Sequence, residues 1–277
     1  MRAALVQLCS GDDPEANLAQ TRALIDAAAA DGAELILTPE CTNIISADRA
    51  HQQAVLVVEA EDPTLAALRT QTAALGVWLL IGSLMLRADQ PGESRLVNRS
   101  LLIAPDGGIA ARYDKIHMFD ADPRPGERYR ESAAVRPGSR AVLVREPAAI
   151  GLTICYDLRF PALYRRLAQA GAELLTVPAA FTVPTGEAHW RVLLRARAVE
   201  TGCFVLAPAQ TGAHPARNGA RLRQSYGHSL AVAPWGEVLA DGGEAPGVSL
   251  VDLDLAEVAR ARARIASLSG DRPFDGP

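Results

Sequence analysis

Several features are missing from this 277-residue chain, and each absence narrows what it can be. Neither sign of charge dominates: 28 basic residues stand against 32 acidic ones, a formal net charge of -4. That balance gives no electrostatic reason to expect nucleic acid or an anionic membrane as partner. No apolar run approaches the roughly 18 residues of a spanning helix, so no membrane anchor is expected. The first apolar stretch, Ala3–Leu8, turns polar at Ser10. It is too short for a signal peptide and reads as a first strand. The four cysteines (Cys9, Cys41, Cys155 and Cys203) lie far apart and without metal-ligand spacing. Without an export signal they are expected to be reduced thiols in the cytoplasm. The glycine-rich dinucleotide fingerprint is absent after the first strand, as is the Gly-x-Ser-x-Gly of serine hydrolases. No linker and no repeat of fixed period divides the chain.

What is present is an ordinary globular composition, 49% hydrophobic and 22% charged, on a chain long enough for a sizeable core. Strand-like and helix-like segments alternate. Pro14–Ala30 carries helical spacing behind a capping Asp13, and Pro63–Leu75 is closed by Gly76. Further helices are expected over Pro161–Ala170, Thr185–Thr201 and Ala256–Ala266, the last a solvated arginine-rich face. Strands are expected at Glu34–Thr38, Val77–Leu86, Leu96–Ala104, Ile109–Tyr113, Ala148–Cys155 and Glu173–Pro178. Four more follow at Cys203–Pro208, Ser229–Ala233, Val238–Ala240 and Val248–Leu253. Asp106-Gly107-Gly108 marks a hairpin turn. Two strand–helix–strand blocks thus flank a central hairpin region, which suits one α/β domain over residues 1–277 with sheet layered between helices. From Asp114 to Ser139 the periodicity fades among prolines, glycines and charges. A loop of that length in a compact domain is uncommon unless it is functional.

Three residues invite chemistry, and each has a plain alternative. Cys155 follows the apolar run Ile150–Ile154, with a helix expected from Pro161, and strand-to-helix junctions expose side chains and aim N–H groups at anions. An isolated cysteine there is more often a small packing residue. Glu40 stands after Pro39 at a strand end, where a buried charge is costly without a purpose, although a capping or surface glutamate is equally ordinary. Lys115 opens the long loop, where a lysine is usually just solvated.

Taken together, Pro39-Glu40, Tyr113-Asp114-Lys115-Ile116-His117 and Cys155-Tyr156-Asp157-Leu158-Arg159-Phe160-Pro161 resemble the three motifs of the nitrilase (carbon–nitrogen hydrolase) superfamily, in the same order and at matching separations. The flanking blocks Val177–Phe181, Gly186–Trp190, Leu194–Ala198 and Tyr226–Ser229 look like its Nit branch, so the resemblance covers essentially the whole chain. It implies a four-layer α-β-β-α sandwich that pairs into a homodimer or a higher homo-oligomer, with no metal and no organic cofactor. It implies a glutamate base, a lysine and a cysteine nucleophile at Glu40, Lys115 and Cys155. A second glutamate before a serine carries over to Glu131. The residue types fit amide hydrolysis: Glu40 takes the thiol proton as Cys155 attacks, and Lys115 with the Tyr156 backbone N–H steadies the oxyanion.

The same resemblance places Arg159 against a substrate carboxylate, with an Arg159–Asp157 pair as the structural alternative. Tyr156, Phe181 and Thr185 fall at pocket-lining positions, and Phe181 is equally plausible as core. His117, His189 and His228 read as supports rather than catalysts, and Cys9, Cys41 and Cys203 as packing. The expected reaction is hydrolysis of the terminal amide of a small carboxylated molecule through a thioester, releasing ammonia, with deaminated glutathione the first choice. The alternatives are α-ketoglutaramate, an N-carbamoyl amino acid or a nitrile, a Cys–His hydrolase of another fold, and a non-catalytic binding protein. Tyr156-Asp157 argues against the nitrilase and carbamoylase options, which commonly carry Trp-Glu or Asn after the cysteine. The insertion Pro123-Arg124-Pro125-Gly126 departs from both amidase groups of the branch.

Overall fold

The computed structural model describes residues 1–124, 126–216, 223–273, 275 and 276, so Pro125 of the Pro123–Gly126 insertion lies outside the described residues. Along the chain run β1 (Arg2–Gln7), α1 (Pro14–Ala30), β2 (Leu35–Leu37), α2 (Arg49–Val55), α3 (Pro63–Leu75), β3 (Trp78–Arg87), β4 (Leu96–Ile103) and β5 (Ile109–Asp114). Next come a small hairpin of β6 (Asp120–Arg124) and β7 (Glu127–Arg130), then β8 (Val142–Val144), β9 (Ile150–Leu152), α4 (Pro161–Gln169) and β10 (Leu174–Thr176). The last part holds α5 (Val183–Thr185), a π-helical turn over Gly186–Trp190, α6 (Arg191–Thr201) and β11 (Phe204–Ala207). It closes with β12 (Thr211–Ala213), β13 (Gln224–Tyr226), β14 (Leu230–Val232), β15 (Val238–Asp241), β16 (Gly247–Asp252) and α7 (Ala256–Arg264).

Two six-stranded sheets form the middle layers, in the orders β16-β1-β2-β3-β4-β5 and β8-β9-β10-β11-β14-β15. Read in those directions, both sheets have the same sequence of pairings: antiparallel, parallel, parallel, antiparallel, antiparallel. The chain has no repeat in sequence, yet its two sheets share one pattern of pairing. They differ in that the edge strand β16 comes from the far end of the chain, whereas β8 runs directly into β9.

Period-two alternation divides each central strand between two cores. Ala3, Leu5, Leu35, Leu37 and Leu80 point toward the second sheet and join one cluster with Ile150, Leu152, Leu174 and residues of α4 and α6. Ala4, Val6, Ile36, Leu79 and Ile81 point the other way, against Ile25 and Ala28 of α1 and Leu65 and Leu68 of α3. Strands buried on both faces read as continuous apolar runs, which is how β1, β2 and β3 appear in sequence. The layering is therefore the expected α-β-β-α sandwich.

Start and stop signals fix the helices. Asp13 accepts the Glu15 and Ala16 N–H groups ahead of Pro14, and Asp62 accepts Leu65 N–H ahead of Pro63. Gly76 and Gly202 end α3 and α6 in the left-handed region at φ 66° and 60°. Three expectations change. The 114–139 stretch is not one open loop but carries the β6–β7 hairpin and a 3-10 turn over Glu131–Ala133. Strand β9 stops at Leu152, three residues before Cys155. Four short elements, α2, β8, β12 and β13, were too brief to leave a period in the sequence.

Candidate active site

Both halves of the sandwich deliver residues to one place from the carboxyl ends of their central strands, where open α/β sheets bind ligands. Pro39 and Pro178 each lie two residues past a central parallel strand, β2 and β10. Glu40 follows the first; Ala179 and Ala180 follow the second. Gly82 in β3 keeps the two halves in contact. A Cβ there would lie 1.9 Å from Thr38 O, 2.4 Å from Pro178 Cβ and 2.8 Å from Pro39 O.

Glu40 is 4% exposed, and both of its carboxylate oxygens accept hydrogen bonds. Oε1 accepts from Lys115 Nζ at 2.8 Å and from Asn98 Nδ2 at 2.9 Å, while Oε2 accepts the Ala180 N–H at 3.0 Å. Its backbone is held as well, because Gln210 Nε2 donates to Glu40 O at 3.0 Å. Lys115, 2% exposed, leaves β5 with its N–H on Asn98 O and donates through Nζ to both Glu131 oxygens at 2.9 Å. Glu131 comes from the 3-10 turn behind the β6–β7 hairpin, and its Oε2 also accepts Phe119 N–H at 2.6 Å. The turn is fastened by Asp120, which accepts both the N–H and the hydroxyl of Ser132.

The nucleophile candidate is placed by a kink rather than by a strand end. Ile154 N–H donates to Asp157 Oδ2 at 2.8 Å, and Cys155 N–H to Pro178 O at 2.9 Å. Between these bonds Cys155 takes φ 49°, a left-handed conformation that L-residues adopt only where their surroundings impose it. It opens the 3-10 turn Cys155–Arg159 that leads into α4. The N–H groups of a first helical turn have no partner within it, so the Tyr156 N–H is a donor in search of an acceptor.

Burial and charge set the protonation states. Burial alone would raise the Glu40 carboxyl, but Lys115, then the thiol, and Arg223 outweigh it and hold the pKa below the ordinary value. Burial also works against the Lys115 ammonium, yet Glu131 and Glu40 raise its pKa well above normal. Cys155 is pushed far up by burial and by Glu40, against the opposing pull of Lys115. At rest Glu40 is accordingly a carboxylate, Lys115 an ammonium and Cys155 a neutral thiol.

Asp157 was not among the sequence candidates, although it stands inside the cysteine motif. It is fully buried and accepts four hydrogen bonds: Tyr113 OH at 2.6 Å, His117 N–H at 3.0 Å, His117 Nδ1–H at 2.7 Å and Ile154 N–H at 2.8 Å. Tyr113 and His117 flank Lys115, and Ile154 precedes Cys155. One carboxylate therefore ties the lysine segment to the cysteine turn. This excludes the Arg159–Asp157 pair considered from sequence.

Arg159 instead extends into a cavity of about 350 Å³ that Glu40, Lys115, Cys155 and Glu131 also line. Its guanidinium carbon lies 5.8 Å from the Tyr156 ring centre and 5.5 Å from that of Phe181, with Nη2 3.3 Å from His189 Nδ1. No carboxylate pairs with it among the described residues. Phe181 is both things expected of it, a cavity wall and a core residue tilted on Trp190 at 4.8 Å. Thr185 also lines the cavity, its hydroxyl bonded to Thr182. Cys41, read as packing, proves to be a half-buried cavity residue whose thiol is pushed up by burial and by Glu40. Asn98, Gln210 and Arg223 were missed because each acts from a distant segment and has no local motif. No group of His, Cys, Asp and Glu able to hold a metal occurs among the described residues.

A carbon–nitrogen hydrolase family model matches residues 2–263. The chain belongs to the carbon–nitrogen hydrolase family. As a carbon–nitrogen hydrolase it is 40% identical over 271 residues to the deaminated glutathione amidase of Synechocystis sp., an alignment covering 96% of each chain. Among solved structures, the C. elegans NitFhit protein superposes with a TM-score of 0.87 at 36% identity. That match covers 98% of this chain but spans only 65% of the NitFhit chain. An amidase from Nesterenkonia sp. AN1, whose active-site cysteine has undergone Michael addition of acrylamide, superposes at a TM-score of 0.76 and 28% identity over 96% of this chain and 98% of that one.

Proposed function

We propose that this carbon–nitrogen hydrolase is an amidase acting through a Cys155 thioester, with Glu40, Lys115 and Glu131 as its other catalytic groups and deaminated glutathione as its substrate. The observation that carries the reading is the Lys115 ammonium, held between Glu40 and Glu131 at 2.8–2.9 Å in the buried part of a cavity that Cys155 also lines. A thiolate would be buried and repelled by Glu40, so the thiol stays protonated until attack. As Sγ bonds to the amide carbon, the thiol proton passes to Glu40. The new oxyanion is met by Lys115 and the Tyr156 N–H; losing one such donor typically costs about 3 kcal/mol of barrier. Collapse breaks the C–N bond, and Glu40 returns the proton to the departing amine. Water then attacks the thioester while Glu40 takes its proton. The acid leaves, and the proton on Glu40 restores the Cys155 thiol.

The guanidinium of Arg159, which has no carboxylate partner among the described residues and is framed by Tyr156 and Phe181 with Thr185 nearby, suits a carboxylate on the acyl side of the substrate. The 2-oxoacid end of deaminated glutathione supplies one. α-Ketoglutaramate carries the same acyl group on ammonia, whereas from deaminated glutathione the leaving group is the amine of cysteinylglycine. The ammonia release expected from sequence therefore applies to the former substrate and not to the latter. The name of the Synechocystis relative supports the peptide amide as the first choice.

We further read residues 1–277 as a single cytoplasmic domain that forms a homodimer or a higher homo-oligomer. Among the described residues no helix is long and apolar enough to cross a membrane, and all four cysteines are free. The test is a product assay with deaminated glutathione, α-ketoglutaramate, a neutral aliphatic amide, a nitrile and an N-carbamoyl amino acid. The wild type is expected to cleave the first two. Cys155→Ala is expected to be at least about a thousandfold slower. Cleavage of the nitrile alone, or a Cys155→Ala enzyme of near-normal rate, would sink the proposal.

A further inference from the structure

In a chain of net charge -4, the cavity is cationic: among the described residues Arg49, Lys115, Arg128, Arg130, Arg159 and Arg223 line it, against two carboxylates, Glu40 and Glu131. Four of these cations are accounted for. Lys115 is held by the two glutamates, and Arg130 pairs with Asp122 through both terminal nitrogens. Arg223 donates to Ala180 O at 2.7 Å, and Arg159 is placed against the acyl-side carboxylate above. Arg49 and Arg128 are left. Each is exposed, each lines the cavity, and neither has a hydrogen-bond or ion-pair partner among the described residues. Asp48 caps α2 by accepting His51 N–H, and Asp122, which also feels the charge of Arg128, accepts its hydrogen bonds from Arg130.

We infer that Arg49 and Arg128 form a second anion subsite at the mouth of the cavity, one that takes a carboxylate on the leaving-amine side of the substrate. The inference deepens the functional reading above and rests on it. With the scissile carbonyl at buried Cys155 and the acyl carboxylate at Arg159, the amine half must extend toward solvent, where these two exposed guanidiniums stand. The two arginines come from separate elements, the first turn of α2 and strand β7. Their forks can approach one carboxylate from two sides, and neither must first break a pair of its own. Ammonia is too small to reach them. The substrate class is thus a dianionic secondary amide, one carboxylate on each side of the bond cleaved.

The experiment compares two substrates that give the same acyl-enzyme. Deaminated glutathione carries the distal carboxylate; α-ketoglutaramate does not, and deacylation is common to both. In the Arg49→Gln/Arg128→Gln enzyme the ratio of kcat/KM for deaminated glutathione to that for α-ketoglutaramate is expected to fall about tenfold. For the wild type, amidating the glycine carboxylate of deaminated glutathione should lower the ratio by a similar factor, and high salt should shrink the difference. A ratio indifferent to the two substitutions, in a wild type that cleaves both compounds, overturns the subsite alone. A wild type that cleaves α-ketoglutaramate but not deaminated glutathione overturns the subsite and the substrate reading together.

Discussion

Lys115, Glu40 and Cys155 show how far a residue's chemistry depends on its neighbours. In isolation each had a bland reading: a solvated lysine, a surface glutamate, a packing cysteine. Order and spacing against a known family selected the other reading from sequence. The protonation states, by contrast, arise from burial acting with charges that converge from β2, β5 and the Glu131 turn. Asp157 belongs to the same scale. Its four donors span the lysine and cysteine segments, so it is a positioning residue for both. Asp157→Asn turns two acceptor oxygens into one and aims an N–H at existing donors. The variant is expected to lose about 3 kcal/mol in urea unfolding. Its kcat on α-ketoglutaramate should fall by about tenfold or more, because small displacements of reacting groups are costly. Tyr113→Phe, which deletes one donor, should lose less on both counts. A stability loss with unchanged kcat would reduce Asp157 to a purely structural role.

Among the elements, legibility followed length and punctuation. Helices α1 and α3 matched their expected limits because proline, an aspartate cap and a following turn bound them. The three-residue strands β8, β12 and β13 are fixed by their partners in the sheets rather than by their own pattern. The 114–139 stretch reads in sequence as one long loop, and its hairpin was hidden because Pro123 and the charges around it disguise the alternation. Strand β3 carries the sharpest element-level prediction. Around its bulge Gly82 N–H donates to Thr38 Oγ1, Ser83 N–H to Pro39 O, and Ser83 Oγ accepts Cys41 N–H. The Glu40 loop is therefore laid directly on the Gly82 backbone. Gly82→Ala is expected to destabilise the protein by about 3 kcal/mol and to lower kcat by displacing Glu40. Gly247→Ala, where a Cβ meets nothing within 4 Å, is the control, with a change of about 0.5 kcal/mol or less. Equal tolerance of both substitutions would refute the close approach.

At the scale of the molecule, the shared pairing pattern of the two sheets accounts for one site drawing on both: the ends of the central strands β2 and β10 meet where Gly82 lets the two layers touch. The outer surface is uneven. Val192 and Val199, seven residues apart on α6, are 60% and 54% exposed, and Trp235 and Leu239 are 40% and 43% exposed. Apolar side chains on one helix face, with others exposed beside them, suit a self-complementary contact. Gly236 lies against Val199, which joins the Trp235 turn to that face. The proposed homodimer is expected to sediment at twice the 29.3 kDa of the chain. Val199→Glu with Trp235→Glu should yield a folded monomer. A wild type that is monomeric at every concentration tested would exclude the pairing.

The sequence by itself determined the class of fold, the main helices and central strands, the family and the four residues of the proposed chemistry. These are written locally, in periodicity, caps and motifs a few residues long. Only the tertiary structure decided that Cys155 sits in a left-handed kink, that Asp157 ties two motifs together, that Asn98 and Gln210 hold Glu40, and that two arginines at the cavity mouth have no ion-pair partner among the described residues. Each of these depends on groups far apart in the chain becoming neighbours. Burial then turns such neighbours into the hydrogen bonds and charge balances that a linear pattern does not record.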